Sequence, residues 1–550
     1  MSSFEISRRQ VLSGTAAAIG AAVLTGAASS KAAPPAAASS EGLVVSTRYG
    51  LLKGVRDGSI RSFKGIPYAA PPVGTRRFLA PQPPVAWNGV RDASTLGHPS
   101  IQDNPDYPAW LDPRPESEDC LYLNVWTPSR PNSEPLPVMV WLHGGGYIFG
   151  SAGAPVYDGA KLAETAGVVV VSINHRLNAF GYAWFGDIVP ELAAHATPGQ
   201  QDIVRALLWV RDNIAALGGD PANVTLFGES GGGGKVNSIL ATPSAKSLFH
   251  KGIIQSGAQR SVSTREQGTE VASAFLAELG PGKFDLQRLQ NVSVQDIKRA
   301  ASAVIGSMGG LSFQPVVDGS FMPQQTWQNG APSPATPLII GTNSHEGLTY
   351  LPAQTEPESD EEMAKRFVGN YFAPPISTDE FYALLNEYRG VMGETSRLEI
   401  LTAMLTDTFH WHSAVLQAEM QTTAGGPAYF YEFAWETPCF EGTWAPHGAE
   451  LPFVFGNQTY ATAWDGQDTD NLRAADDPAG DRFRLADEVM NAWGSFAHTG
   501  NPSTGALRWP SYDSTSRATM VFARGNSYLE NDRNSARRNL ISNVPTVVWW

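Results

Sequence analysis

The chain has 550 residues, of which 42% are hydrophobic and 17% are charged. This composition allows a sizeable core and excludes global disorder. The formal net charge of −14 argues against nucleic acid or an anionic membrane surface as a partner. We therefore expect a globular protein that does not bind nucleic acid.

The N-terminus has the pattern of an export signal. The sequence SRRQVL places Arg8 and Arg9 before a mildly apolar stretch rich in Ala and Gly. A twin arginine is typical of the bacterial route that exports folded proteins, and the apolar run is shorter than the ~20 residues that span a bilayer. We expect a twin-arginine signal peptide and spacer over residues 1–38. The mature protein would be periplasmic or extracellular, would have met the twin-arginine export machinery and would keep no membrane anchor.

Apolar, β-branched runs alternate with helical patterns along the rest of the chain. The runs that predict strands lie at 137–143, 167–174, 223–228, 251–257, 337–343 and 429–433. Residues 203–217 predict a helix, and the pattern around 260–335 and 355–425 is helical and irregular. Alternation of this kind predicts a mainly parallel sheet with helices on both faces. We expect one decorated α/β domain over residues 42–550.

The two cysteines, Cys120 and Cys439, are far apart in sequence and have no metal-ligand companion at short spacing. A protein that folds before export reaches its native state in a reducing cytoplasm, where a disulfide does not help. We expect both to be structural thiols and predict no metal site.

The stretch FGESGGGGK at 227–235 is rich in glycine around one serine. A phosphate-binding loop is excluded, because that pattern requires glycine at the position of Glu229 and Ser or Thr at the position of Val236. The pattern G-x-S-x-G fits with Ser230 at its centre. A flexible linker is a poor explanation, since a buried strand precedes the stretch and a helix follows it. The glycines therefore indicate steric room around an exposed serine nucleophile.

A serine nucleophile requires an oxyanion hole, a base and an orienting acid. The HGGG loop at 143–146 follows a strand, and its backbone N–H groups, with that of Gly231, can hold a developing negative charge. Glu346 lies on a loop after a predicted strand, and His447 follows on a loop flanked by Pro and Gly. This gives the order serine, acid, histidine. His345 and His410 are the remaining candidates for the base.

These segments together resemble the type-B carboxylesterases, in the cholinesterase-like branch of the α/β hydrolases. The likeness covers residues 42–550 and is carried, in family order, by GIPYAAPPVG, SEDCLYLNVW, HGGGYIFG, INHRL, FGESGGG, GTNSHEG and HGAELPFVFG. The resemblance implies an α/β-hydrolase fold with helical insertions above the active site and no cofactor. The residues it implies are the nucleophile Ser230, the acid Glu346, the base His447 and the oxyanion donors Gly145, Gly146 and Gly231.

The implied activity is hydrolysis of a small carboxylic ester through an acyl-enzyme intermediate. An acyltransferase or transesterase would use the same triad with a different acceptor, and a lipase would differ in its preference for long-chain emulsions. Some relatives of this branch lose the triad and act as binding modules. All three triad positions are present here, which makes that alternative remote.

Three further residues are candidates for substrate binding. Trp110 precedes Cys120 by a spacing that resembles that of the choline-binding tryptophan of cholinesterases, and Glu229 adds negative charge beside the nucleophile. Tyr350 is an aromatic residue on the loop of the acid. The alternative for Trp110 is a plain apolar wall. No cysteine precedes Cys120 to staple this loop, and we do not predict a cholinesterase.

Overall fold

The computed structural model describes residues 43–102, 112–129, 134–440, 442–459 and 469–545. The predicted signal peptide, the domain boundaries expected at 38 and 42, and Trp110 lie outside these ranges.

Sixteen strands are present in the described ranges. They are β1 Val44–Thr47, β2 Gly50–Lys53, β3 Val55–Asp57, β4 Ile60–Pro67, β5 Val90–Asp92, β6 Tyr122–Pro128, β7 Leu136–Leu142, β8 Val169–Ile173, β9 Gly219–Glu229, β10 Lys251–Gln255, β11 Leu338–Asn343, β12 Ala428–Phe433, β13 Thr437–Cys439, β14 Gly442–Trp444, β15 Ala518–Phe522 and β16 Tyr528–Asn531.

Fifteen α-helices are present in the same ranges. They are α1 Ala160–Ala166, α2 Asn178–Tyr182, α3 Pro198–Asn213, α4 Gly231–Leu240, α5 Arg265–Glu278, α6 Leu286–Asn291, α7 Val294–Met308, α8 Asp360–Phe367, α9 Thr378–Met392, α10 Arg397–Leu405, α11 His412–Thr423, α12 Leu451–Val454, α13 Thr469–Asp476, α14 Asp481–Thr499 and α15 Ser535–Ile541.

The central sheet has eleven described strands in the order β16-β15-β12-β11-β10-β9-β7-β8-β6-β4-β3. The block from β8 to β15 is parallel, and antiparallel strands complete both edges. The six predicted strands are β7 to β12, and together they form most of the parallel block. The remaining strands of this sheet, β3, β4, β6, β15 and β16, were not predicted. Strands β3 and β16 are short and mostly exposed, and β4, β6 and β15 contain polar residues that interrupt an apolar run.

Helices pack against both faces of the sheet, as the side chains of β7 illustrate. Its residues Val138, Val140 and Leu142 belong to one hydrophobic core, which also contains the apolar face of α3. The alternate residues Met139 and Trp141 belong to a second core on the opposite face, against α14. Side chains of a strand alternate between the two faces of its sheet, so a strand buried on both faces is apolar throughout. The expected mainly parallel sheet with helices on both faces is confirmed.

Element boundaries differ from the predicted ones in two places that bear on the site. The helix predicted at 203–217 begins earlier, at Pro198, and its last four residues form a 3₁₀ turn, Ile214–Leu217. The helix after the glycine-rich stretch ends at Leu240. Both irregular regions are helical, as expected: one contains α5 to α7, the other α8 to α11. In the second region the residues Thr406–Trp411 form a π-helix between α10 and α11.

Both cysteines are buried, and neither forms a disulfide. Burial raises the pKa of the Cys120 thiol to about 12, which suits an inert structural residue. None of the helices in the described ranges is long and apolar enough to cross a membrane.

Candidate active site

Ser230 occupies a sharp turn between a strand and a helix at the carboxyl end of the sheet. Strand β9 ends at Glu229, helix α4 begins at Gly231, and Ser230 between them has φ 56° and ψ −125°. Positive φ is sterically unfavourable for a residue with a side chain, so surrounding contacts must hold it. One such contact is the Ser230 N–H, which donates to the Gln255 carbonyl at 2.8 Å. The turn presents the hydroxyl to the space above the sheet.

The glycines that follow Ser230 allow close approach of three backbone segments. A Cβ on Gly232 would overlap the carbonyl oxygen of Leu142, at the end of β7. A Cβ on Gly231 would overlap the backbone of Gly146. These contacts involve backbone atoms, which cannot move aside as a flexible side chain can. Gly231 and Gly232 are therefore required by packing against the HGGG loop and the end of β7.

The HGGG loop, residues 143–146, has all four of its carbonyl groups engaged. Lys235 donates to the carbonyls of His143 at 2.9 Å and Gly146 at 2.7 Å. The imidazole Nδ1 of His143 lies 2.8 Å from the Gly144 carbonyl, so this nitrogen carries the proton. The Gly145 carbonyl accepts from the backbone N–H groups three and four residues further along the chain, at 3.2 and 3.1 Å.

The N–H groups of this loop are available for a ligand. Within the described part of the chain, the backbone N–H groups of Gly145, Gly146 and Gly231 donate to no other protein group. Gly145 and Gly146 line the same cavity as Ser230, and Gly145 has φ +86°, which glycine adopts without strain. The structure thus brings the three predicted donors together beside the serine. Such an arrangement suits an oxygen atom that carries negative charge.

Glu346 lies on the first turn after β11, completely buried. One carboxylate oxygen accepts from the Asn343 N–H at 2.7 Å and from the Ser256 hydroxyl. The other lies 2.6 Å from Nδ1 of His447. Burial on its own raises the pKa of Glu346, but His410, His447 and these hydrogen bonds outweigh it and hold the pKa below its usual range. Glu346 is therefore ionised and fixes the orientation of the His447 ring.

His447 lies between β14 and α12 and faces two carboxyl groups. Its Nδ1 contacts Glu346, and its Nε2 lies 3.2 Å from Oε1 of Glu229. Burial on its own lowers the pKa of His447, but the carboxylates of Glu229, Glu346 and Glu450 outweigh it and raise the pKa to about 9. Burial raises the pKa of Glu229 to about 8, against the opposing effect of His447. The protonation states of Glu229 and His447 are therefore coupled.

His410 and Tyr350 complete the surroundings of the imidazole. The π-helix places the His410 ring against the His447 ring, with centroids 4.9 Å apart and planes at 28°. The Tyr350 ring lies 5.2 Å from the His447 ring, and its hydroxyl lies 3.1 Å from Nε2 of His410. Burial lowers the pKa of His410 to about 3, so this ring is neutral. A π-helix turn is often found where a side chain must be aimed at a site.

Ser230 and His447 open into one mostly apolar cavity of about 320 Å³. Its apolar walls come from the residues that follow the HGGG loop, from the loop of the acid and from the helical insertions, and they are Ile148, Phe149, Leu311, Tyr350, Phe372 and Phe409. A cavity of this size and character accepts a small molecule with an apolar portion. The insertions therefore form the cover of the site, as expected.

One group of residues in the described ranges has possible metal-ligand atoms within 4.8 Å of one another, as a metal site requires. It consists of Glu346, His410 and His447. However, Glu346 and His447 are joined to each other by a short hydrogen bond, and the two imidazoles are stacked. Stacked rings direct their nitrogens side by side rather than toward one point. The geometry favours handling of a proton over binding of a metal.

Of the predicted site residues, Trp110 alone lies outside the described ranges. His345, considered as a base, is directed away from the cavity: its Nδ1 accepts from the Ala445 N–H at 3.1 Å, and its ring packs edge-on against Trp444. Glu229 does not line the cavity. Its carboxyl group contacts His447 instead. Tyr350 lines it, as predicted.

Three buried residues near the site were missed by the sequence analysis. Ser256 donates to Glu346, Glu450 accepts from the side chain of Asn343 at 2.7 Å, and Lys235 binds the HGGG loop. The sequence signals were weak. Ser256 follows a strand directly, and Lys235 ends the glycine run, where a phosphate-binding loop would also have a lysine.

Known proteins are similar to this chain over most of its length. The profile of the "Carboxylesterase family" matches residues 41–540. The para-nitrobenzyl esterase of Bacillus subtilis (strain 168) is 38% identical over 512 residues, which cover 90% of this chain and 97% of that protein. The human cocaine esterase is 33% identical over 501 residues, 84% of this chain and 83% of that protein.

Solved structures give the same result. A thermophilic para-nitrobenzyl esterase superposes with a TM-score of 0.76 at 36% identity, covering 91% of this chain and 100% of that one. A carboxylesterase of Geobacillus stearothermophilus superposes with a TM-score of 0.74 at 31% identity, covering 90% of this chain and 99% of that one. The chain therefore belongs to the carboxylesterase family, has the α/β-hydrolase fold of its relatives, and is a carboxylic ester hydrolase.

Proposed function

We propose that the protein hydrolyses carboxylic esters through a Ser230–His447–Glu346 triad and an acyl-enzyme intermediate. The observation that supports this most strongly is the His447 imidazole, joined to a buried, ionised Glu346 at 2.6 Å, in the same cavity as a serine on a strained turn. A nucleophile, a base and an orienting acid in this arrangement are the requirements of acyl transfer.

In the proposed mechanism, Oγ of Ser230 attacks the ester carbonyl while Nε2 of His447 takes the hydroxyl proton. Glu346 accepts from Nδ1, which fixes the tautomer and stabilises the imidazolium as it forms. The oxyanion is held by the N–H groups of Gly145, Gly146 and Gly231. Each such donor typically contributes about 2.7–4 kcal/mol to stabilisation of the transition state. His447 then gives its proton to the leaving alcohol.

Water then hydrolyses the acyl-enzyme in a second half-reaction, in which water is the nucleophile and Ser230 is the leaving group. His447 takes a proton from the water as it attacks the acyl carbonyl, and then returns the proton to Ser230. The same oxyanion donors serve both halves of the reaction. The apolar walls of the cavity suit an ester with an apolar acyl or alcohol part, and p-nitrophenyl esters of graded acyl length are the substrates for the test.

The test is Ser230→Ala, assayed with p-nitrophenyl butyrate. We expect a fall in kcat of several orders of magnitude, because the covalent intermediate cannot form. The circular dichroism spectrum and melting temperature should match those of the parent protein, because the change removes only one hydroxyl group from the wall of the cavity. Turnover within tenfold of the parent in the folded variant would contradict the triad.

We further propose that the enzyme is exported in folded form through the twin-arginine route, since Arg8 and Arg9 precede a weakly apolar segment. The test is replacement of both arginines by lysine in a bacterium that has this route. The active, uncleaved enzyme should then remain in the cytoplasm, as shown by fractionation and immunoblotting. Unchanged export of the mature protein would refute the proposal.

A further inference from the structure

Lys235 is a charged side chain in an unusual place. It lies on the second turn of α4, five residues after Ser230, and it is completely buried. Burying an ammonium group without compensation is costly, so a buried lysine requires partners that repay its loss of hydration. Its partners are two carbonyls of the HGGG loop and the face of Tyr147, whose ring centroid lies 5.3 Å from Nζ.

The two carbonyls have a particular position in the loop. They belong to the peptide groups His143–Gly144 and Gly146–Tyr147. Between these lie the two peptide groups that carry the N–H groups of Gly145 and Gly146. Lys235 therefore binds the loop on both sides of its two oxyanion donors. A peptide group is planar, so fixing the flanking carbonyls limits rotation of the donors between them.

The same side chain also connects the two halves of the oxyanion hole. Two donors come from the HGGG loop, and the third, Gly231, is the first residue of α4. Because Lys235 is on α4, its two hydrogen bonds tie the loop to the helix that carries the third donor. The backbone of Gly231 also lies directly against the backbone of Gly146.

We propose that Lys235 is a positioning residue that holds the oxyanion hole of this enzyme in its working geometry. The inference rests on the proposed function, because it assigns a purpose to donors that the triad mechanism uses. It does not require a permanent charge. Burial lowers the pKa of Lys235 to about 7, against the opposing effect of Glu229, and a neutral amine still has two hydrogens for the two carbonyls.

The alternative is that Lys235 only stabilises the fold. The two roles differ in what they affect. Loss of fold stability lowers the melting temperature and leaves turnover of the folded enzyme intact. Loss of donor geometry lowers kcat and weakens binding of ligands with an oxyanion, while KM for the ester changes little, because the ground-state carbonyl carries no full charge.

The experiment compares Lys235→Met with the matched control Thr242→Val. Methionine keeps the length of the side chain and removes every donor. Thr242 is buried two residues beyond the end of the same helix, where its hydroxyl donates to the Ser238 carbonyl at 2.8 Å, away from the HGGG loop. Active sites are counted by the p-nitrophenolate released from diethyl p-nitrophenyl phosphate, so that kcat refers to folded enzyme.

We expect Lys235→Met to lower kcat for p-nitrophenyl butyrate by about 100-fold with KM within threefold of the parent, as displacement of a catalytic group by about 1 Å does. The affinity for a trifluoromethyl ketone, which binds as an oxyanion, should fall in parallel. Thr242→Val should keep both values. If Lys235→Met does not fold, Lys235→Gln replaces it in the experiment. Glutamine reaches at most one carbonyl, so this variant should lose about tenfold in kcat and about tenfold in affinity for the ketone.

Three results would overturn the inference: kcat retained within threefold in the folded variant, a loss of kcat without loss of ketone affinity, or the same losses in Thr242→Val. Failure of the proposed function would be seen separately, in Ser230→Ala. If Ser230→Ala is inactive and Lys235→Met resembles the parent, the triad stands and only the role of Lys235 is rejected.

Discussion

The two halves of the active site are built in different ways. In the oxyanion half, residues 143–146 and 228–240, the working groups are backbone N–H groups, whose places are set by close contact between glycines. In the acid–base half, the working groups are the side chains of Glu229, Glu346 and His447, whose protonation states depend on one another. Changes in the first half should act through geometry, and changes in the second through proton affinity.

The largest effect expected in the acid–base half is that of His447→Ala. Removing the base leaves Ser230 without a proton acceptor, so kcat should fall by about 10⁴-fold or more, as in other serine triads. The measurement is the kcat of titrated active sites with p-nitrophenyl butyrate at pH 8.

The matched control is His345→Ala, which lies next to Glu346 in the chain but is directed away from the cavity. Its loss of a hydrogen bond and of packing against Trp444 should lower the melting temperature and leave kcat within about tenfold. If both variants lost activity equally, the assignment of the base to His447 over His345 would be wrong.

In the oxyanion half the corresponding change is Gly232→Ala. Its Cβ would overlap the carbonyl oxygen of Leu142, a backbone atom of the central sheet. We expect a loss of about 1–3 kcal/mol in the free energy of unfolding, as overpacking of a core causes, together with a lower kcat. Chemical denaturation and kinetics on the same preparation measure both.

Gly306→Ala is the control for this variant. Gly306 lies within α7, and a Cβ there meets no atom within 4 Å. Alanine is favoured over glycine inside a helix, so this variant should gain about 0.5–1 kcal/mol and keep its activity. If Gly232→Ala were equally stable, steric room would not be the reason for the glycine run.

The sequence was informative about the first half and much less so about the second. Close backbone contact demands glycine, and glycine is visible in the sequence, so FGESGGGG and HGGG predicted the turn and the loop that are found. Buried strands likewise require continuous apolar runs, which predicted β7 to β12. The placement of His410 depends on a π-helix, and the pairing of Glu229 with His447 depends on tertiary packing. Neither leaves a local pattern.

The contribution of Lys235 is hidden for a similar reason. A lysine that follows a glycine run is consistent with a phosphate site, a solvated helix face or a buried contact. Only the tertiary structure shows that it reaches two carbonyls 89 and 92 residues away in the chain.

The smallest and most specific effect concerns the pH dependence of Glu229→Gln. His447 acts as a base only when it is neutral, so kcat/KM rises as the pH rises through its pKa. The carboxylate of Glu229 is the first of the charges that raise this pKa, ahead of Glu346 and Glu450. Glutamine keeps the shape and removes the charge. The pKa of His447 should therefore fall, and the acid limb of the profile should move to lower pH.

We expect a displacement of about one pH unit, at the low end of the range for opposite charges within 4–6 Å, because Glu229 is itself partly protonated near neutral pH. The profile of kcat/KM is measured between pH 6 and 11 on titrated active sites, so that it spans the pKa of His447 in the parent protein. Glu450→Gln, which removes a more distant charge, should move the limb in the same direction by less. A limb that stays in place, moves to higher pH, or moves further in Glu450→Gln would show that Glu229 does not set the basicity of His447. The acid–base half would then depend on geometry, as the oxyanion half does.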